Sequence, residues 1–344
     1  MEYDKPFKNY DDLLDYLDKH YGLTISNVDT AKQILEAVPY YDLVNGYKES
    51  FLDENEKYSQ DHSLELLYAY HEFDRGFQNI LFKYSIDVET KFKNIMAYRL
   101  SEKYGVDVDD YLNPKNFSTP RNKRQREKLK AALDDAWERN RGKNNNPTKY
   151  YMQHHNHVPA WILFKNVRWN TITDLYQFLK SDDKGYILSR MVKINLKQDD
   201  LNRVFSNSMY IVRKMRNQIA HNGKFTTYRI NSEHALLVKQ IEKEFGSTML
   251  RNVYFKGSDA YAMIIALIIL LGDLDRVARM AQDLEKLLDS QVFLPDSILK
   301  SNFREDYVWN SYSRVTGIPV DFIDRFSEYL RQHPDSVLEG NYGI

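Results

Sequence analysis

Apolar residues recur every three or four positions along most of this chain, while strict two-residue alternation is scarce, so helices are the regular elements its pattern supports. Leu13, Leu14, Leu17 and Tyr21 keep that spacing before Gly22, and Val28, Ile34, Leu35 and Val38 repeat it between a capping Asn27 or Asp29 and Pro39. The period continues from Leu64 to Tyr104, with a break expected near Ser85 to Asp87 that would give two antiparallel helices. Gly105 to Pro120 reads as a loop, a basic helix is expected over Asn122 to Asn140, and Gly142 to Pro147 has the composition of a flexible linker. Further helices are expected from Asp199 or Asp200 to His221, over Asp259 to Leu288, and over Val320 to Leu330 after Pro319. The expected class is all-α. Ala260 to Leu271, the longest apolar run, is too short to span a bilayer and reads as a buried helix.

With 344 residues the chain can build one large domain or two modest ones. It has no cysteine, which excludes a disulfide framework, a thiolate nucleophile and a Cys-ligated zinc site. That fits a reducing compartment, and the start Met1-Glu2-Tyr3-Asp4 lacks a signal-peptide pattern, so a cytoplasmic location without membrane attachment is expected. The net charge is −1, but its distribution is uneven. Residues 1–60 carry 6 basic and 13 acidic side chains, and residues 121–143 carry 9 basic and 4 acidic. From Leu201 to Ser232 there are 6 Lys or Arg and no acid, a local positive field that an anion such as RNA would feel. The expected organisation is an acidic helical arm over 1–60, a helical core over 61–290 with a basic variable segment at about 118–157, and a helical extension over 291–344.

The acid-free stretch also holds the best site candidate. Leu201, Val204, Phe205, Val212, Met215 and Ile219 form a core-facing stripe. At about 100° per residue, Arg216 falls at the edge of that stripe and His221 almost opposite it, with Asn217 one turn before the histidine. Asn222-Gly223 reads as a helix stop with Gly223 in a left-handed cap. A helix C-terminus favours a protonated imidazole there. These residue types suit RNA cleavage without a metal. The ribose 2′-hydroxyl attacks phosphorus, an imidazole moves protons near neutral pH, and a guanidinium binds the charge that builds on the phosphorane. One imidazole cannot be acid and base at once, and a two-fold dimer would supply the second. Arg229 to His234 repeats the spacing, but it crosses an expected helix start at Asn231-Ser232-Glu233 and is read as coincidence.

Arg216-Asn217-Gln218-Ile219-Ala220-His221 resembles the R-N-x-x-A-H form of the HEPN ribonuclease motif. From about Tyr10 to Tyr228 the chain resembles the Abi-like (AbiD/AbiF) abortive-infection proteins. Pro39-Tyr40-Tyr41-Asp42-Leu43-Val44-Asn45-Gly46-Tyr47 is similar to that family's "YYRLsGY" segment, and Leu67-Tyr68, Phe73-Asp74-Arg75, Asp87-Val88-Glu89 and Pro159-Ala160-Trp161 follow in order. The resemblance implies a HEPN-type helical bundle with added terminal helices. It also implies a metal-independent endoribonuclease acting as a toxin in phage defence, with Arg216, Asn217 and His221 as its motif residues in a composite homodimer site. Because some AbiF-like proteins are encoded beside a small noncoding RNA, it implies a structured RNA antitoxin as a partner besides the RNA substrate. Two departures stand out: position 42 is Asp where the family often has Arg, and Gly223 stands where HEPN toxins paired with nucleotidyltransferases carry a motif tyrosine.

RNA-backbone contacts are expected at Arg121, Lys123, Arg124 and Arg126, and beside the motif at Lys214 and Lys224. His154-His155-Asn156-His157 lacks the i, i+4 spacing of a helical zinc pair, so no metal or other cofactor is expected. Glu89 reads either as an acid near the site or as half of an ion pair with Lys93. The alternative to the nuclease is a non-catalytic RNA-binding helical dimer, whose Arg and His grip phosphate without cleaving it.

Overall fold

A computed structural model describes residues 6–58, 62–144, 146–289 and 307–333. Among these the regular elements are helices; strands are absent, and only two isolated β-bridges occur, Thr24 with Ser63 and Phe117 with Leu179. The chain is all-α. No described helix is long and apolar enough to cross a membrane.

Contacts divide the chain into two units, one of residues 1–82, 214–265 and 274–344, the other of residues 83–213 and 266–273. The first unit is built on the start of the helix Leu64–Tyr104. Phe73 and Phe77 from that helix meet Tyr312 edge-on or tilted at 5.1 and 5.2 Å, and Phe322 packs on Phe77 and Trp309. Thus the described part of the expected C-terminal extension, helices Tyr307–Thr316 and Phe322–Arg331, completes a core that the N-terminal residues begin. Residues 291–306 and 334–344 of that extension lie outside the described residues.

Within this core sits a carboxylate. Asp74 is buried, and its two oxygens accept one bond each from the Tyr47 and Tyr312 hydroxyls, both at 2.9 Å. Tyr47 also meets His71 Nδ1 at 3.0 Å. Burial raises the Asp74 carboxyl above its ordinary range, against the hydrogen bonds and the neighbouring Arg75 charge that favour ionisation.

The second unit packs the rest of the long helix against the helix Trp169–Phe178 and residues 198–213 of the helix Gln198–Ala220 through Phe92, Tyr176 and Phe205. An ion cluster around one buried carboxylate closes its end: Asp183 accepts from Arg99 Nε at 2.8 Å, Lys103 Nζ at 2.9 Å and the Tyr104 hydroxyl at 2.7 Å.

Four local expectations need correction. The break at Ser85 to Asp87 does not exist: Leu64–Tyr104 is one helix of 41 residues, and Ser85, being small, is accommodated inside the packing. The single helix over Asp259 to Leu288 is two, Ala260–Leu271 and Leu274–Asp289, interrupted where Gly272 takes φ +58° and a Cβ would lie 2.6 Å from the Met191 carbonyl. Within the expected linker Gly142 to Pro147, of which residue 145 lies outside the described residues, Asn146 is held in place: it is buried, caps the helix Pro147–His154 through Thr148 N and donates to the Asn140 carbonyl. Gly105 to Pro120 contains a short helix, Val108–Tyr111, and a 3₁₀ turn, Pro114–Asn116.

Candidate active site

The helix Gln198–Ala220 begins with Asp199 and Asp200 in its first turn, where the dipole favours acids, and carries none after them. Its stripe of Val204, Phe205, Val212, Met215 and Ile219 is buried, which fixes the helix rotation. Leu201 is half-buried. His221, on the far side, is exposed.

How the helix stops decides where that imidazole stands. Gly223 N donates to the Gln218 carbonyl at 2.9 Å and Asn222 N to Ile219 O at 3.1 Å, the paired bonds of a Schellman motif. His221 is therefore the C-cap. The left-handed residue is Asn222, with φ 54°, and not Gly223 as the sequence suggests. Asparagine tolerates that conformation, and here it has a second anchor: Arg75 Nη1 donates to Asn222 Oδ1 at 2.7 Å. Gly223 serves a different purpose. The Gln218 side chain passes over it to donate to the Lys224 carbonyl at 3.0 Å, and a Cβ would lie 2.3 Å from that amide nitrogen.

Arg216 is half-buried at the edge of the stripe, its guanidinium 5.4 Å from the centre of the Phe82 ring, and Nη1 donates to Asn217 Oδ1 at 3.1 Å. The cation thus rests on an aromatic face, and the amide beside it is oriented by it. Asn217 keeps an NH₂ group to offer a phosphate. Lys214 is half-buried, and Lys224 is paired with Glu49 at 2.5 Å, so an anion at Lys224 competes with that carboxylate. All five residues belong to the first unit.

Arg121, Lys123, Arg124 and Arg126 are exposed at the start of the helix Lys123–Arg141 in the second unit. Glu89 forms an ion pair with Lys93 at 2.6 Å. His154 ends its helix with its ring 4.4 Å from Tyr150, and His155 stands 4.4 Å from Tyr151. Among the described residues no group of three or more His, Asp or Glu is placed to hold a metal ion. Arg229 bonds to the carbonyls of Thr226, Tyr228 and Val315, and His234 lies in a 3₁₀ turn beside Glu233, so the second copy of the spacing has no helical frame.

Arg75 and Asn222 are the residues that sequence patterns do not reveal. Phe73-Asp74-Arg75 stands out as a segment, but nothing in one sequence pairs position 75 with position 222.

A family model described as Abi-like protein matches residues 33–227, more than half of the chain. The matched span holds Arg75, Arg216, His221 and Asn222. Comparison with curated proteins and with solved structures returns no match.

Proposed function

This chain belongs to the Abi-like protein family, and on that premise we propose that it is an abortive-infection effector that cleaves RNA without a metal. The observation that carries this reading is an exposed imidazole at a locked helix end, one turn after Asn217 and five residues after an oriented arginine. In this reading the fold is a HEPN-type bundle. A scissile phosphodiester lies across Arg216, which binds the charge that grows on the non-bridging oxygens. Asn217 steadies the same phosphate. His221 takes the proton of the attacking 2′-hydroxyl, and the His221 of a second copy gives one to the leaving 5′-oxygen, so the working form is a homodimer. The products carry 2′,3′-cyclic phosphate and 5′-hydroxyl ends. A structured noncoding RNA that occupies the same groups would hold the toxin inactive, and the cytoplasm supplies both kinds of RNA.

The test is cleavage of single-stranded RNA by purified wild type, His221→Ala and Arg216→Ala. Each substitution should lower the rate by about a hundredfold or more. His221 is exposed, so its replacement should leave folding intact. The second reading, a dimer that binds RNA without cleaving it, draws on the exposed cations Arg121, Lys123 and Arg124. It predicts unchanged behaviour in His221→Ala and a loss when those cations are removed.

A further inference from the structure

In the second unit, the helix Trp169–Phe178 and residues 198–213 of the helix Gln198–Ala220 enclose a cleft of about 240 Å³. Phe92, Tyr176 and Phe205 close its bottom, and Tyr210 offers a half-exposed ring. Its polar lining is biased. Asn170 Oδ1 accepts from Arg213 Nη1 and Gln177 Oε1 accepts from Lys128 Nζ, so both amides are left with their NH₂ groups to donate. Asp174 is the one acid in the lining, and it is paired with Lys128 at 2.9 Å.

Arg213 is the centre of this arrangement. It is half-buried, with its guanidinium 5.4 Å from the Tyr210 ring centre. Among the described residues no carboxylate lies within ion-pair distance of it. Burial lowers its pKa, and the neighbouring Tyr210 and Asp174 do not offset the lost solvation. A site that offers donors and an under-neutralised guanidinium beside the half-exposed Tyr210 ring is complementary to a ligand with negative charge, acceptor atoms and a flat apolar part. A nucleotide has all three.

We propose that this cleft holds a single nucleotide, with its phosphate on Arg213, its base against the Tyr210 ring, and the Asn170 and Gln177 amides on the base edge. It rests on the reading of this chain as an RNA-acting protein, but does not require that His221 performs chemistry.

The test uses the full chain carrying His221→Ala, so that the probe survives. Binding of a fluorescein-labelled single-stranded hexaribonucleotide is followed by anisotropy, and of the four nucleoside 5′-monophosphates by calorimetry. Two substitutions are compared: Arg213→Gln, which removes the cation, and Ser206→Tyr, which fills the mouth from an exposed position. Each should weaken binding by about tenfold or more. Arg213→Gln should also lower the slope of log affinity against log salt by about 0.7. Dependence seen with the hexamer alone assigns the nucleotide to an RNA strand, and dependence seen with monophosphates assigns it to free nucleotide. Affinity unchanged in both variants, or no binding of either probe, overturns the proposal. Loss of cleavage dependence on His221 with Arg213-dependent binding intact would remove the nuclease reading alone.

Discussion

Arg75 donates to the side chain of Asn222 at 2.7 Å and so ties the long helix to the residue that follows His221. The bond joins positions 147 residues apart in sequence. It holds an asparagine in a left-handed conformation that L-residues otherwise avoid, and it thereby fixes the exit of the chain from the C-cap where the imidazole sits.

Arg75→Ala should therefore reduce RNA cleavage by about tenfold, because small displacements of a reacting group cost rate steeply. The loss should fall on kcat with KM little changed, since Arg75 acts through His221 and not on substrate. Arg75→Lys, which can still donate to Asn222, should recover part of the rate. Steady-state kinetics of the two variants checks this.

Position 222 separates conformation from anchoring. Asn222→Ala should cost about 1 kcal/mol or more of stability, because alanine pays the left-handed penalty and loses the Arg75 bond. Asn222→Gly removes the penalty but not the loss of the bond, so it should be the more stable of the two and still be impaired in cleavage. Urea melts beside activity assays distinguish them.

The buried carboxyl of Asp74 gives stability a pH dependence. Its folded pKa is raised by burial, so the native state holds that proton more tightly than the unfolded chain. The resulting stabilisation is full below about pH 3.9, the ordinary aspartate value, and is lost as pH rises through the raised folded value. Asp74→Asn should remove this component. The stability difference, wild type minus variant, should fall steadily as pH rises across that window, measured by denaturant unfolding at a series of pH values.

Asp183→Ala should destabilise the second unit by about 2 kcal/mol, because it removes a buried carboxylate that accepts charged hydrogen bonds from Arg99 and Lys103. Thermal unfolding is the measurement, and a change under about 1 kcal/mol would show that Asp182 takes over both cations.

Helical class and the motif helix were legible because burial of a stripe leaves a periodic trace. Val204, Val212, Met215 and Ile219 could be placed inside, and His221 outside, from spacing alone. Helix ends were less legible. Ser85 looked like an interruption because polarity is visible in sequence and close packing is not. Gly272 was a stop that the apolar run before it concealed. The left-handed residue was assigned to Gly223, the residue of lower intrinsic cost, and the structure puts it at Asn222 because Arg75 reaches across to hold it. Contacts of that range carry no local signature, and they position the candidate site.

The most direct test of the central claim is the chemistry of the cut ends. Purified protein should be incubated with a 5′-labelled RNA in excess EDTA, and the fragments analysed by mass spectrometry before and after treatment with a cyclic phosphodiesterase. Attack by the 2′-hydroxyl, assisted by His221 and Arg216, predicts fragments that end in 2′,3′-cyclic phosphate, 5′-hydroxyl partners, and neither in the His221→Ala protein. Fragments with 3′-hydroxyl and 5′-phosphate ends that appear only when Mg²⁺ is restored would contradict it.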